Sequence, residues 1–435
     1  MPGSVSIEIL NHASIIVQSG DVRLLCDPWL EGTCFRGAWG LRYRNPAAME
    51  KSSACTHLWI SHFHTDHMHT PTLRKIAGQS PDMGVLANVS ANFTMEDPMR
   101  AAGFKHLTPI YERRQLSLAE QFEVTRYPAA GIDNMLLIRA GGLTILNYND
   151  CTLPKRAIES LMRKIGRVDV LMLNYNIANK AFEHSSKEEV KEQRRKKFQT
   201  IVEAVAPMYV IPFASVHYFR SPSGSHQNES FLELEDLAGV VPQLLPLSVG
   251  DSVEFGLDKQ PVVNRMTPPI PRAPFEVRQH KAPVSWADLL AAAERYRSKL
   301  IGGFGPLAWC IPSVSFHVED LDRVFGIDIV RGVSEREVKQ ASIDASAHSE
   351  VLFDLLGRPY GTDAFMVGAD WALLTDNPAR LRLFLLAGVL LENRLAPRDL
   401  LRMLVSPAGW KFFINRREEI KWVLLGRKFT FDFRL

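Results

Sequence analysis

The stretch His62-Phe63-His64-Thr65-Asp66-His67 places three imidazoles and one carboxylate within six residues. It directly follows His57-Leu58-Trp59-Ile60-Ser61, an apolar run with the length and composition of a buried strand. Because a strand fixes the direction of the loop behind it, we expect these four side chains to be held close together. The first pair, at positions i and i+2, can converge on one cation. The second pair, at i+4 and i+5, can turn towards another.

Imidazole and carboxylate donors suit borderline divalent ions such as Zn²⁺, Fe²⁺ or Mn²⁺. Two such ions can hold a hydroxide between them for attack on a polarised carbonyl or phosphoryl group. A histidine-rich surface loop would contain the same residue types. However, four specified positions directly behind an apolar strand are hard to obtain from composition alone. The stretch therefore predicts a site for one or two divalent metal ions.

The overall composition is that of a globular protein. The 435 residues include 51 Lys and Arg against 48 Asp and Glu, and 46% of them are hydrophobic. At about 100–200 residues per domain, this length allows two or three domains. The net charge of +3 is small and the opposite charges are mixed along the chain, which argues against binding of a polyanion. We therefore expect a small-molecule substrate and no nucleic-acid partner.

The N-terminal sequence and the cysteines argue against several further classes of protein. The first residues lack the basic and apolar regions of a signal peptide, and no run of about 20 apolar residues occurs, so we predict a cytoplasmic protein without a membrane partner. The five cysteines are odd in number and include no Cys-x-x-Cys pair. This pattern argues against a disulfide framework, a thiolate zinc site and a Rieske-type iron–sulfur centre.

The pattern around the motif alternates strands with helices. Strands are predicted at residues 5–10, 13–17, 22–26, 57–61, 84–89, 122–127, 135–139, 143–147, 168–173 and 208–212. Helices are predicted at residues 71–77, 154–165 and 187–205, the first with Thr70 as its N-cap. Hairpins among these elements favour an α/β sandwich over a doubly wound sheet.

The composition changes where prolines cluster, at Pro268, Pro269, Pro271, Pro274 and Pro283. We therefore divide the chain into a metal-binding catalytic domain at residues 1–260, a proline-rich linker at 261–283 and an accessory domain at 284–435. Helical periodicity at residues 286–300, 377–391, 397–404 and 418–425 predicts that the last part is mostly helical.

The H-x-H-x-D-H spacing at residues 62–67 resembles that of the metallo-β-lactamase superfamily. Five further segments make the resemblance more specific, because they occur in the same order in one branch of this superfamily. They are residues 11–14, 27–35, 60–62, 149–151 and 212–215. Together they are similar to the branch that contains the metallo-β-lactamase-like part of CMP-N-acetylneuraminate hydroxylase and its bacterial relatives. The resemblance implies an αββα sandwich, here followed by a smaller C-terminal α+β accessory domain.

The resemblance also implies a ligand set. It assigns His62 and His64 to a first metal, Asp66 and His67 to a second, and Asp150 to a bridging position after the strand at 143–147. Asp27 would accept a hydrogen bond from a ligand imidazole. Two alternatives remain open at this point: Asp150 could cap the helix that starts near residue 154, and Asp27 could be a turn residue before Pro28.

The sequence departs from the family pattern at two histidines. Where the family has a further histidine for the first metal, this chain offers Asp133 as a substitute ligand. The last family histidine falls near Ser221, so His217 and His226 are the nearby candidates. His12 is expected at the mouth of the site or paired with the backbone. Exchanging imidazole for carboxylate favours harder ions, which shifts the expected metal from zinc towards iron or manganese.

Three functions are compatible with these residues. The superfamily favours a hydrolase in which a metal-bound hydroxide attacks an ester, amide or phosphodiester of a small molecule, with Asp66 holding a metal and orienting the nucleophile. The alternative is a non-haem iron or di-iron oxygenase, whose electrons would come from a redox partner or from the substrate because these cysteines cannot form a Rieske centre. The third is a non-enzymatic, metal-stabilised binding module with a degraded site. Apart from these functions, the accessory domain could serve as a lid, as a substrate-specificity surface or as the contact surface of a homo-oligomer.

Overall fold

The computed structural model describes residues 3–129, 132–176, 186–337 and 342–417. Its strands are β1 (Val5–Asn11), β2 (Ser14–Ser19), β3 (Val22–Cys26), β4 (Thr33–Cys34), β5 (Trp39–Leu41), β6 (His57–Trp59), β7 (Gly84–Val89), β8 (His106–Tyr111), β9 (Gln115–Ala119), β10 (Phe122–Pro128), β11 (Asn134–Ala140), β12 (Leu143–Asn149), β13 (Val170–Asn174), β14 (Tyr209–Phe213), β15 (His217–Phe219), β16 (Ser252–Phe255), β17 (Pro261–Asn264), β18 (Val314–Val318), β19 (Arg323–Asp328), β20 (Gly332–Arg336), β21 (Ala345–Ala347) and β22 (Ala372–Leu373). Its α-helices are α1 (Ala48–Ser53), α2 (Thr70–Gln79), α3 (Glu96–Ala102), α4 (Lys155–Ile165), α5 (Lys187–Val205), α6 (Trp286–Phe304), α7 (Ser349–Gly357), α8 (Gly361–Gly368), α9 (Ala379–Glu392), α10 (Pro397–Leu404) and α11 (Pro407–Asn415).

Two sheets pack face to face. The larger has the order β17-β16-β1-β2-β3-β6-β7-β8, and the smaller has the order β14-β13-β12-β11-β10-β9. The core between them contains buried side chains from both sheets, such as Ile7 and Met172. Each such side chain stabilises the fold by about 1.5–3 kcal/mol when it leaves water. Alternating apolar positions therefore produce the sandwich that the strand pattern predicts.

Helices cover both outer faces of the sandwich. Ile76 of α2 and Met99 of α3 pack with residues of the larger sheet. Ile158 of α4 and Phe198 of α5 pack with residues of the smaller sheet. These layers have the order α, β, β, α, so the predicted fold class is confirmed.

The strand directions bring the chemistry-bearing loops to one edge of the sandwich. In the larger sheet β3 is parallel to β6, so the loops after Cys26 and Trp59 start side by side. In the smaller sheet β12, β13 and β14 are parallel, which places the loop after Asn149 at their carboxyl ends. A three-stranded sheet, β15-β5-β4, lies beside this edge.

Residues beyond the sandwich build a five-stranded sheet of order β20-β19-β18-β21-β22, packed with α6, α7 and α9. Helices α6 to α11 supply most of the regular structure described in this part of the chain, and β18, β19 and β20 form a meander of short strands that gives it an α+β character. The predicted helix at 418–425 lies outside the described residues. Strand β17 pairs with β16, so the larger sheet extends four residues into the segment predicted as a linker.

Two further observations concern individual helices. The N-cap of α2 is His69 and not Thr70 as expected, because the His69 side chain accepts a hydrogen bond from the Thr72 backbone amide. In the described part of the chain, no helix combines the length and apolar character needed to cross a bilayer.

Candidate metal centre

Buried amides hold the loop that starts after β6. The side chains of Asn88 and Asn134 donate to the carbonyl oxygen of Ser61 at 3.0 and 2.8 Å. Asn134 in turn accepts a hydrogen bond of 2.8 Å from the buried guanidinium of Arg126. The Ser61 amide donates to Asp27 Oδ1 at 2.7 Å. The backbone immediately before His62 is thus fixed from both sheets, which orients the ligands that follow it.

The first group of candidate ligands consists of His62, His64 and Asp133, each offering one donor atom within 4.8 Å of the others. His62 Nε2 lies 2.8 Å from His64 Nδ1 and 3.9 Å from Asp133 Oδ1. The structure therefore brings Asp133 to the place where the sequence offered it as a substitute for histidine.

The second group consists of His12, Asp66 and His67, again with donor atoms within 4.8 Å of one another. Both His12 Nε2 and His67 Nε2 lie 3.2 Å from Asp66 Oδ2. The sequence placed His12 at the mouth of the site or paired with the backbone, whereas the structure buries its ring against the Asp66 carboxylate.

Asp150 lies between the two groups. Its Oδ2 atom is 3.7 Å from His62 Nε2 and 3.5 Å from His67 Nε2. The alternative role as a helix cap does not fit, because α4 begins at Lys155 with Pro154 as its N-cap. The position after β12 and between the groups is that expected of a bridging carboxylate.

Asp27 contacts the second group from behind. Its Oδ2 atom lies 3.2 Å from His67 Nδ1 and accepts a hydrogen bond of 2.7 Å from the Asn149 side chain. Asp27 and Asn149 both adopt a left-handed backbone conformation, with φ of 45° and 61°. Such strained positions persist only where surrounding contacts hold them, as these buried hydrogen bonds do. The contact with His67 leaves the Nε2 atom of that ring to face the centre.

The electrostatics of the cluster fit a bound cation. Burial lowers the pKa of His62 well below its usual value, and the charge of His67 adds to this, so that His62 is a neutral imidazole. Burial also opposes a charge on His67, but the carboxylates of Asp66 and Asp150 outweigh it and raise the pKa of His67 well above its usual value. In the absence of a cation a proton on His67 balances these carboxylates. Metal binding would displace that proton.

Unpartnered atoms give an independent test of this fit. Among the described residues, Asp66 Oδ1, His67 Nε2 and Asp150 Oδ1 are buried without a hydrogen-bond partner. Leaving a buried polar atom unpaired costs about 1–3 kcal/mol, and more for a charged group. All three residues belong to candidate ligand groups, and a divalent ion held by these groups would satisfy part of this unused capacity, so the residues present fit one or two metals.

The two remaining histidine candidates occupy different environments. The buried ring of His217 stacks on Trp39 with 3.9 Å between ring centroids, and its centroid is 5.2 Å from that of His12. It forms a wall beside the second group. His226 is exposed on the short 3₁₀ helix Ser225–Ser230. The structure thus does not bring His226 to the cluster, because the turn after β15 directs it to solvent.

Sequence reasoning did not identify His12 as a donor of the second group. A signal existed, since His12 directly follows β1 at the edge where the other candidate ligands gather.

An αββα sandwich with histidine and aspartate groups at one edge defines a metallo-β-lactamase-type fold. Residues 6–214 match the family model described as "Beta-lactamase superfamily domain". This match covers 209 of the 435 residues, and they include the motif at residues 62–67 and most strands of the sandwich.

Curated relatives point to one branch of this superfamily. The chain is 29% identical over 160 residues to the inactive cytidine monophosphate-N-acetylneuraminic acid hydroxylase of Homo sapiens, covering 35% of this chain and 31% of that protein. Its identity to the cytidine monophosphate-N-acetylneuraminic acid hydroxylase of Mus musculus is 24% over 244 residues, covering 52% of this chain and 42% of that protein. The chain thus matches less than half the length of these relatives.

Two solved structures illustrate what this chain is similar to. CmlA, a diiron β-hydroxylase from Streptomyces venezuelae, has a TM-score of 0.42 and 17% identity, with 59% of this chain and 55% of that chain covered. The isothiocyanate hydrolase from Delia radicum gut bacteria has a TM-score of 0.41 and 14% identity, with 58% and 99% covered.

Proposed function

We propose that the protein is a non-haem iron oxygenase with a dinuclear centre that acts on a small molecule. The observation that carries this proposal is the donor set. The groups His62–His64–Asp133 and His12–Asp66–His67 each combine two imidazoles with one carboxylate. Two histidines and one carboxylate are the donor set of non-haem iron oxygenases; catalytic zinc is also held by this set, by three histidines or by thiolates, and the additional carboxylate of Asp150 makes the site harder and favours iron.

The number of carboxylates supports two metal ions over one. Asp66, Asp133 and Asp150 all face the same small volume, and the second group is further contacted by Asp27. Three or four negative charges at such short distances repel each other strongly unless cations lie between them. Two divalent ions would offset this charge, one in each group, with Asp150 between them.

When bound, the metal ions would supply Lewis acidity and, in the case of iron, electrons for reaction with dioxygen. The protein's own residues have defined tasks in this centre. His62, His64 and Asp133 would hold the first ion, and His12, Asp66 and His67 the second. Asp27 keeps Nδ1 of His67 in a hydrogen bond, so that Nε2 faces the centre. Trp39, Phe35 and the stacked His217 form an apolar wall that excludes water.

The names of the curated relatives also support an oxygenase over a hydrolase. The curated proteins that the chain matches are named as hydroxylases, although the match covers only part of their length. All five cysteines are free thiols, and four of them are buried at separate places, so a Rieske centre does not fit them. We therefore propose that electrons reach the centre from a redox partner or from the substrate itself.

A metal-dependent hydrolase is the second candidate, and it fits the superfamily equally well. One observation favours it: Asp66 Oδ1 is buried and, in the part of the chain the structure describes, has no hydrogen-bond partner. In a hydrolase this oxygen would accept the proton of an attacking water, while Oδ2 remains with the second group. The substrate would be an ester, amide or phosphodiester of a small molecule.

Metal analysis separates the two candidates. The protein is produced without added metal, its iron, zinc and manganese are measured by elemental analysis, and its optical spectrum is recorded under air. We expect close to two iron ions per chain and a charge-transfer band. A colourless protein with two zinc ions would overturn the oxygenase and support the hydrolase.

Variants test whether the metal lies where we propose. His64→Ala and Asp66→Ala should each lose metal while their far-ultraviolet circular dichroism remains that of the wild type. His226→Ala is the matched control, because this histidine is exposed and away from both groups. If His64→Ala retains the full metal content, the proposed centre is wrong for either chemistry.

A further inference from the structure

A cavity of about 560 Å³ lies beside the three-stranded sheet β15-β5-β4. Gly40 of β5 and Tyr218 of β15 line this cavity, whereas the residues next to them, Trp39 and His217, stack on each other beside the second group of ligands. Successive side chains of a strand point to opposite faces, so these two strands stand between the cavity and the His217 ring. The volume lies within the range of about 300–1,000 Å³ that is typical of small-molecule sites.

The lining of the cavity combines apolar side chains with two guanidinium groups. Leu41 and Met49 belong to the apolar part. Arg44 and Arg220 belong to the polar part, and both contact the carboxylate of Glu276. Arg44 Nη2 donates to Glu276 Oε1 at 2.8 Å, and Arg220 Nη2 lies 3.6 Å from Glu276 Oε2. The cavity therefore contains a position between two arginines that already accepts a carboxylate.

Glu276 reaches this position from the proline-rich segment, which is anchored on both sides of it. The Ala273 amide donates to the carbonyl oxygen of Arg42 at 2.6 Å, and the Arg278 amide donates to that of Arg220 at 2.8 Å. The Glu276 side chain between these anchors is 46% exposed. Ion pairs of such exposed groups contribute little to stability. An anion from solution can therefore replace the Glu276 carboxylate without disturbing the backbone of the segment.

The positive charge at this position is not compensated by other groups of the lining. Glu31, the other carboxylate that lines the cavity, pairs with Lys75. Arg220 Nη1 donates to the carbonyl oxygen of Gly37 at 3.3 Å, but its Nε atom is buried without a hydrogen-bond partner among the described residues. Guanidinium groups present forked donors that match the oxygens of carboxylates and phosphates. An oxyanion between Arg44 and Arg220 thus meets two guanidinium groups, one of which has an unused donor.

We propose that this cavity binds a small molecule that carries an oxyanion, either a carboxylate or a phosphate, on an apolar body. The oxyanion takes the position of the Glu276 carboxylate between Arg44 and Arg220, and the apolar body lies against Leu41 and Met49. This is a second ligand site, separate from the metal centre. It does not depend on the function proposed for that centre.

Three probes that share one aromatic ring test the ligand class: phenyl phosphate, benzoate and the uncharged benzyl alcohol. Their dissociation constants for the wild-type protein are measured by ligand-observed NMR. We expect at least one of the two anions to bind, and benzyl alcohol to bind about tenfold more weakly, because it lacks charge-assisted hydrogen bonds. The tighter of the two anions identifies the oxyanion. Binding of neither anion, or equally tight binding of benzyl alcohol, would overturn the proposal.

Substitutions in opposite directions assign the binding to this cavity. Arg44→Gln should weaken binding of the tighter anion by about tenfold, because one guanidinium is lost. Glu276→Gln should strengthen it by about threefold, because the competing carboxylate is gone. Arg323→Gln is the matched control, since its exposed guanidinium pairs with Glu335 at 2.7 Å away from the residues that line the cavity. Wild-type affinity in Arg44→Gln, or no gain in Glu276→Gln, would contradict the proposed position.

Oxyanions also bind to metal ions, and His64→Ala separates the two sites. We expect this variant to bind the anion as tightly as the wild type, because His64 does not line the cavity. Anion binding that is lost in His64→Ala and unchanged in Arg44→Gln would place the anion at the metal centre and refute the second site. If His64→Ala instead keeps its full metal content, the proposed metal centre fails, while Arg44→Gln and Glu276→Gln still decide whether the cavity binds the anion.

Discussion

His12 and Asp66 are 54 residues apart in the sequence, yet their side chains approach to 3.2 Å. The His12 ring packs edge-on against Trp29, with 5.4 Å between centroids, which leaves Nε2 facing Asp66. At the scale of the residue, the proposed second metal position therefore combines a histidine from the first hairpin with two candidate ligands from the motif. Under this proposal His12 binds the metal directly.

Replacing His12 by alanine tests that role. We expect His12→Ala to retain one metal ion per chain and to lose the second, because only one of the two ligand groups loses a donor. Elemental analysis after desalting gives the stoichiometry. His106→Ala serves as the control, since this histidine is exposed on β8. Two retained ions in His12→Ala would show that His12 is not a ligand.

A substitution at Asp27 tests whether its contact with His67 supports the metal centre. Asp27→Asn presents an amide hydrogen where His67 and Asn149 now find an acceptor. We expect a loss of about 1–3 kcal/mol in the free energy of unfolding, from the unsatisfied buried donors. Metal affinity should fall by about 10–100-fold, because the His67 ring loses the contact that orients it. Urea unfolding and Co²⁺ titration measure the two effects.

Asp21→Asn is the matched control for this experiment, because Asp21 is an exposed turn residue on the same hairpin. Both measurements should equal those of the wild type. If Asp27→Asn keeps the metal affinity of the wild type, Asp27 does not position His67. Its role would then be that of a turn residue before Pro28, the alternative that the sequence also offers.

At the scale of the element, α8 is positioned by unusual backbone geometry. Tyr360 before it and Ala369 after it both have φ of 53°, so the helix is bounded by left-handed residues. Gly361 starts the helix against the end of α7. A Cβ atom at Gly361 would lie 2.6 Å from the carbonyl oxygen of Leu355 and closer still to that of Asp354. Only glycine lets the two helices approach this closely.

Gly361→Ala should therefore displace the first turn of α8. We expect a loss of about 1–3 kcal/mol in the free energy of unfolding, as for other overpacked sites. Gly302→Ala, in the last turn of α6 with open space around its Cβ position, should instead leave the stability unchanged or raise it by less than about 1 kcal/mol. A fully tolerated Gly361→Ala would contradict this account of α8.

At the scale of the whole molecule, Glu112 joins the sandwich to the C-terminal helices. It accepts hydrogen bonds of 3.0 Å from Asn415 and from Arg416, at the end of α11. It also forms an ion pair of 3.8 Å with the buried Arg126, which holds Asn134 beside the metal loop. Although burial alone would raise the pKa of Glu112, Arg416 and Arg126 lower it below its usual value.

This lowered pKa sets the direction of a pH dependence. Glu112 contributes stability above the pKa of an unfolded glutamate, near 4.3, and loses it as the pH falls through its lower folded-state pKa. We expect Glu112→Gln to be less stable than the wild type by about 1–3 kcal/mol at pH 7, with the difference shrinking at more acidic pH. Urea unfolding across this pH range measures it. The exposed Glu120→Gln should show no difference, and a pH-independent loss in Glu112→Gln would argue against the ion pairs.

The sequence by itself determined the fold class and most of the centre. Local patterns sufficed for the strands and the helices of the sandwich, because strand alternation and helical periodicity are properties of neighbouring residues. The motif at residues 62–67 indicated four candidate ligands, His62, His64, Asp66 and His67. The ends of β3 and β12 indicated Asp27 and Asp150, since parallel strands end at a common edge of their sheet. Asp133 followed from the gap in the family pattern, and the structure brings it to His62 and His64.

Only the tertiary structure decided which distant residues join this edge. It brought His12 into the second group, turned His226 to solvent, and packed Tyr360 at the start of α8 onto Phe63 of the metal loop. The physical reason is that these positions depend on the packing of whole elements against each other, such as α8 on the metal loop. No periodicity or spacing along the chain encodes a contact between residues so far apart.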